Sequence, residues 1–164
     1  MTFEHGNNLA ETQAQRLENV SEQLTLLLQQ PDVAERLRTA AGEAEWSAME
    51  ILGHLVEVIP YWLSQCRVVI NAAEPPVFGR PLDAPDRLAG PTQGITATTE
   101  ELLKQWQANV KTAAQTIRQM SAAEWNMKGK HVVRGEMTIA EMVDFFIVAH
   151  SEGHLQQIKD VLQE

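Results

Sequence analysis

Apolar residues recur at helical three-and-four spacing in four separate segments of the chain. The first segment runs from about Leu9 to Gln29, carries Ala10, Ala14, Leu17, Val20, Leu24, Leu27 and Leu28 on its stripe, and stops at Pro31. Asp32 to Ala40 reads as a connector with room for one short helical turn, and Gly42 breaks it before Trp46. The second helix opens at Ser47-Ala48-Met49-Glu50, where the serine hydroxyl can accept from a free backbone N–H and the glutamate can reach back to the serine amide. From Ile51 to Ile70 the apolar residues cover most of the cylinder, which predicts a largely buried helix. Pro60 lies inside it, deletes one backbone donor and crowds the carbonyl of Val56, so a kink or bulge is expected there.

Between Asn71 and Ala97 the helical pattern disappears. Five of the seven prolines (Pro75, Pro76, Pro81, Pro85 and Pro91) and three glycines fall in this stretch. Such a segment reads as a loop, long enough to cross a bundle from end to end and to cover a site. The third helix starts at the capping box Thr98-Thr99-Glu100-Glu101 and places Leu102, Trp106, Val110, Ala113, Ile117 and Met120 on one stripe. Ser121-Ala122-Ala123-Glu124 restarts the chain, an irregular stretch through Gly129 and Gly135 follows, and Thr138-Ile139-Ala140-Glu141 opens a last helix to about Leu162. No segment alternates as a strand should, although His131-Val132-Val133 has room to extend briefly. The expected architecture is an all-α four-helix bundle with a long Pro/Gly-rich connection between helices 2 and 3, in one domain spanning residues 1–164.

Composition narrows the function classes. Thirteen basic against twenty-two acidic residues give a net charge of −9, which repels nucleic-acid phosphates and anionic lipid headgroups. The closest basic grouping, Lys128, Lys130 and Arg134 around His131, is too small for a nucleic-acid footprint. No apolar run approaches the ~20 residues of a membrane span, and Met1 to Ala10 lack a signal-peptide pattern, so a cytoplasmic protein is the expectation. The single cysteine, Cys66, sits in an apolar helical run and reads as a small core residue.

Among five histidines, His150 and His154 are spaced i, i+4, which puts both imidazoles on one helix face where they can reach a single ion. Phe146, Val143 and Ile139 precede them on that face, so the pair continues an apolar stripe. Two readings stay open at this point: a metal-ligand pair, or two histidines at the edge of the core hydrogen-bonded to neighbouring carboxylates or carbonyls. Ser151 stands where a zinc peptidase would have its glutamate base, which excludes that chemistry. His54 is the natural third ligand, yet its face carries Glu50, Glu57, Tyr61 and Gln65, the more polar side of the second helix. Those carboxylates are candidates for orienting its ring. His5 and His131 have no partner at ligand spacing and read as surface or loop residues.

Taken together, Glu45-Trp46-Ser47, then Glu50-Ile51-Leu52-Gly53-His54-Leu55, and Gly135 to Met142 running into His150, His154-Leu155, Gln157 and Ile158 resemble the DinB-like superfamily of bacterial proteins. The resemblance covers nearly the whole chain, including the Pro-rich connection and Trp125. It implies an up-down-down-up bundle with a divalent ion held by His54, His150 and His154, and it assigns no catalytic or cofactor-binding residue beyond these. Members include thiol-dependent transferases using bacillithiol, mycothiol or glutathione, and a mycothiol-dependent maleylpyruvate isomerase. Dimers are common among them, which makes a homodimer one expectation, although the sequence itself carries no dimer signal.

Three neutral imidazoles leave an ion's charge uncompensated and a position open, which suits activation of a water or a thiol. Zinc is the conservative choice, and nickel, iron or manganese also accept imidazoles. The first expectation is a metal-dependent thiol S-transferase acting on a small electrophilic substrate, with a low-molecular-weight thiol as co-substrate and the Pro-rich loop near it. Against it stands the absence of any basic residue recognisably placed to hold a thiol's carboxylates. Metal-assisted hydrolysis by the same ligands is an alternative, and so is a non-catalytic, stress-associated binding or structural bundle.

Overall fold

The computed structural model describes residues 2–163, with side chains from residue 8 onward. Its long helices are α1 (Thr2–Leu28), α2 (Ala48–Asn71), α4 (Thr99–Gln119) and a last helix built from α6 (Ile139–Met142), a π-helical stretch (Val143–Val148) and α7 (Ala149–Gln163). Two short helices, α3 (Ala89–Thr96) and α5 (Ala122–Trp125), and strands β1 (Val77–Phe78), β2 (Lys128–His131) and β3 (Gly135–Thr138) complete it. Both α1 and α2 pack on α4 and on the last helix, so α1 and α2 stand diagonally across a four-helix bundle. Its core is continuous, with Leu17, Leu24, Met49, Leu52, Leu55, Trp106, Ile117 and Ile139 fully enclosed.

All four expected capping boxes form: Ser47 with Glu50, Thr98 with Glu101, Ser121 with Glu124 and Thr138 with Glu141. Each satisfies two backbone N–H groups that a helix start would otherwise leave unpaired. The first helix begins earlier than the pattern indicates, at Thr2. At Pro60 the α2 helix runs through without interruption. The missing donor is replaced from outside, because Asn109 Nδ2 on α4 donates to Val56 O at 3.0 Å, the carbonyl that residue 60 would have served.

Two features depart from the sequence reading. The Pro-rich connection is not all loop, since it contains α3. Pro91 falls in the first turn of α3, where a missing N–H costs nothing, and Gly90 and Gly94 let α3 lie directly on α2. A Cβ on Gly53 would collide with Gly90 O, and one on Gly94 with Met49 O. The second departure is a three-stranded sheet of order β1-β2-β3, with β1 parallel and β3 antiparallel to β2. Strands of two to four residues are too short to show alternation, and Gly135 at φ 82° turns β2 back into β3.

Cys66 is core, as read: it is buried, and burial pushes its thiol up to about 12. Trp106 is fully buried at the centre of α4, and Trp125 is buried where the chain restarts. Among the described residues no helix is long and apolar enough to cross a membrane.

Candidate metal centre

The histidines meet because α2 and the last helix are neighbours in the bundle. His54 Nε2 lies 2.9 Å from His150 Nε2, and His154 Nε2 lies 3.1 Å from the same atom. One ring nitrogen from each of the three falls within 4.8 Å of the others. Both close contacts meet at His150 Nε2, and at most one proton fits between each pair. Three imidazoles bound to one ion at about 2.0–2.1 Å need their nitrogens roughly 3 Å apart; the His54–His150 and His150–His154 pairs are at that spacing, and all three nitrogens lie within 4.8 Å of one another.

Burial keeps the rings neutral, which is the ligand form. Desolvation first, then the charges of His154, His150, Arg87 and Arg80, lower His54 to about 3. Desolvation, His154 and Arg87 lower His150 to about 4. His154 is lowered by desolvation, opposed by a hydrogen bond with Gln157. That bond, Nδ1 to Gln157 Oε1 at 2.8 Å, can only be made by an Nδ1–H donor, because the amide oxygen accepts. It therefore leaves the His154 Nε2 lone pair facing its neighbours.

His54 sits differently from its sequence reading. It is 6% exposed, not at a wet boundary, because α3 covers the polar side of α2 and Trp46 closes over the ring at 5.2 Å between centroids. The carboxylates expected to orient it are occupied elsewhere: Glu50 caps Ser47, and Glu57 pairs with Arg80 at 2.8 Å. His54 Nδ1 is buried without a partner in the structure. Gln157, one turn past His154, is the positioning residue that sequence reasoning missed; its i, i+3 spacing was the available signal.

The triad opens onto a cavity of about 300 Å³, walled by Val58, Trp62 and Phe146 and by His131. Trp62 and Phe146 stack at 3.8 Å between centroids and 9° between planes. A second cavity of about 190 Å³ lies on the Trp46 side of His54, and Leu82 and Arg87 of the Pro-rich connection line both. A shallower groove of about 370 Å³ between α1 and α4, around Glu18 and Lys111, has no histidine or cysteine and is remote from this chemistry.

Two sequence readings need correction here. Basic residues do stand beside the triad, since Arg80, Arg87 and Arg134 line the larger cavity. Arg80 and Arg87 come from the Pro-rich connection and Arg134 from the β2–β3 turn beside His131, all far along the chain from His54, His150 and His154, so nothing in the sequence ties them to the triad. His131 is not a surface loop residue: it is 5% exposed in β2, with Trp62, Phe78 and Phe146 around its ring. It remains outside the three-histidine group. His5 lies outside the residues whose side chains are described.

The last helix carries His150 and His154 just past its π-helical stretch, where Ala149 N bonds back to Asp144 O. Such single-turn expansions are frequent at functional sites. Here the widened turn places Phe145 and Phe146 together on the cavity wall with His150.

Comparison with known proteins adds three findings. Residues 10–158 match the DinB superfamily. Curated proteins give no match. Among solved structures the fold is similar to YfiT from Bacillus subtilis, described as a probable metal-dependent hydrolase with an unusual four-helix bundle topology; the TM-score is 0.77 at 19% identity, covering 94% of this chain and 86% of that one.

Proposed function

Since the chain belongs to the DinB superfamily, we propose that it is a metal-dependent enzyme in which His54, His150 and His154 hold one divalent ion and the neighbouring cavity receives a small substrate. The observation that carries this reading is the convergence of three neutral, mostly buried imidazole nitrogens on one point at the edge of a cavity. Zinc fits such a donor set, as do nickel, iron and manganese. A divalent ion bound there supplies Lewis acidity and an open position that lowers the pKa of a water or a thiol.

The chain's own residues do the remainder. Gln157 fixes the tautomer of His154, α3 covers the polar face of α2 beside His54, and Trp62 and Phe146 give the substrate an apolar wall. Thiol transfer to a small electrophile is the reaction we favour, because the cavity couples the triad to arginines able to hold the carboxylates of a low-molecular-weight thiol. Hydrolysis by the same residues is the second reading, supported by the likeness to YfiT.

Elemental analysis of the chelator-washed, zinc-reconstituted protein beside His150→Ala tests the centre. About one ion per chain in the parent and none in the variant is the expected result. No bound ion in the parent overturns the reading. Turnover of 1-chloro-2,4-dinitrobenzene with bacillithiol, mycothiol or glutathione, against hydrolysis of p-nitrophenyl acetate without thiol, separates the two reactions.

A further inference from the structure

Cations are scarce in this chain, and four of its eight arginines are held by carboxylates, Arg36 among them through Asp32. Arg16 pairs with Asp144 and Glu152, Arg80 with Glu57 and Asp86, and Arg118 with Glu11 and Glu18. Among the described residues, Arg87 and Arg134 have no carboxylate within 4.0 Å, and both line the cavity beside the triad. Neither dangles freely: Arg87 donates to Leu82 O, and the Arg134 guanidinium lies 3.8 Å over the Phe145 ring. In a protein of net charge −9, two uncompensated guanidinium groups at one cavity make a local positive field against the sign of the whole.

His131 supplies an independent observation. Its Nδ1 accepts from the backbone N–H of Val133 at 3.1 Å and of Arg134 at 3.0 Å. A nitrogen that accepts carries no proton, so the proton of the neutral ring is on Nε2. That Nε2–H is buried and has no partner in the structure, although the ring lines the same cavity. Buried donors are normally satisfied, and this one, packed beside Gly79 on a ring that lines the cavity, is left for a ligand acceptor that a small movement of the ring would admit. Gly79, at φ 88°, is what allows this ring its place, since a Cβ there would come within 2.7 Å of Nε2.

The remaining walls are apolar and flat, with Val58 and the Trp62–Phe146 stack. We infer that the cavity recognises a small amphipathic anion: a flat apolar body against Trp62 and Phe146, and a carboxylate-class group taken by Arg87 and Arg134 with the His131 Nε2–H as a further donor. A volume near 300 Å³ limits it to a small molecule. As a statement about what the enzyme acts on, this rests on the metal-dependent reading above; as a statement about binding, it holds for the metal-free chain.

The test is isothermal titration calorimetry with 2-naphthoate and its neutral analogue 2-naphthamide, on metal-free and zinc-loaded protein at low salt. The metal-free protein is expected to bind naphthoate about tenfold or more tighter than the amide, the scale of a charge-assisted hydrogen bond. Arg134→Met and Arg87→Met should each erode that preference while leaving the amide's affinity unchanged. Should either variant fail to fold, salt replaces it: added sodium chloride weakens naphthoate and leaves the amide alone. Equal affinities, no binding of either compound, or a preference that survives both arginine changes and high salt overturns the inference. Zinc bound without anion preference sinks this inference and leaves the metal reading standing; anion preference in a chain that holds no metal does the reverse.

Discussion

Acidifying the metal-free protein tests whether the three imidazoles are held neutral by burial. His54 is lowered from 6.5 to about 3 and His150 from 6.5 to about 4 in the folded chain. The unfolded chain takes up protons below pH ~6.5 that the folded chain refuses, so unfolding becomes more favourable as pH falls. Stability is full above about pH 6.5 and drops by about 1.4 kcal/mol per pH unit for each such histidine until its folded pKa is reached. At pH 5, about 1.5 units below the unfolded value, His54 and His150 each contribute a loss of about 2 kcal/mol, or about 4 kcal/mol together. His154 and His131 shift in the same direction. For a chain of this size the loss corresponds to a fall in Tm of about 8–16 °C. The assay is thermal melting of chelator-stripped protein between pH 7.5 and 5, beside a His54→Gln/His150→Gln variant that cannot titrate at these positions. The variant should lose about 4 kcal/mol less over the same interval, keeping only what His154 and His131 contribute, since the salt-bridged carboxylates Glu11 and Glu18 are lowered below this window. Parallel losses in the two proteins would refute the argument.

Three more outcomes follow from particular contacts. Gly94→Ala should destabilise by about 1–3 kcal/mol or more in chemical denaturation, since its Cβ has only the Met49 backbone to enter; an unchanged midpoint would mean α3 does not rest on α2. Asn109→Leu should cost about 1–3 kcal/mol by leaving Val56 O unpaired beside Pro60, and a neutral effect would show that water serves that carbonyl equally well. Gln157→Leu should weaken zinc binding about 10- to 100-fold in a competition titration while leaving the metal-free melting temperature nearly unchanged; unaltered affinity would remove Gln157 from the site.

The helices were readable because their evidence is local: a stripe of apolar residues and a Ser/Thr-x-x-Glu box at three of the long starts and at α5. His150 and His154 share a face by arithmetic alone. What escaped notice depends on contacts between distant segments. The α3 helix is poor in helix formers, and its glycines make sense only once the α2 backbone lies against them. That omission also misplaced His54, since the polar face it shares with Glu57 becomes interior when α3 covers it. His131 needed β1, Gly79 and the α2 aromatic Trp62 before it read as anything other than a loop residue.

A π-helical turn is an α-helix with one residue more than its length requires. The stretch Val143–Val148 therefore marks a register change built into the last helix one turn before His150. Each residue in an α-helix advances the face by about 100°. Removing one residue from this stretch would let the ladder close as ordinary α-helix and swing either the capped start at Thr138 or the histidine pair away from its present neighbours. Whether the chain binds an ion is thus tied to its residue count between Met142 and Ala149, a dependence that no inspection of the ligands themselves would disclose.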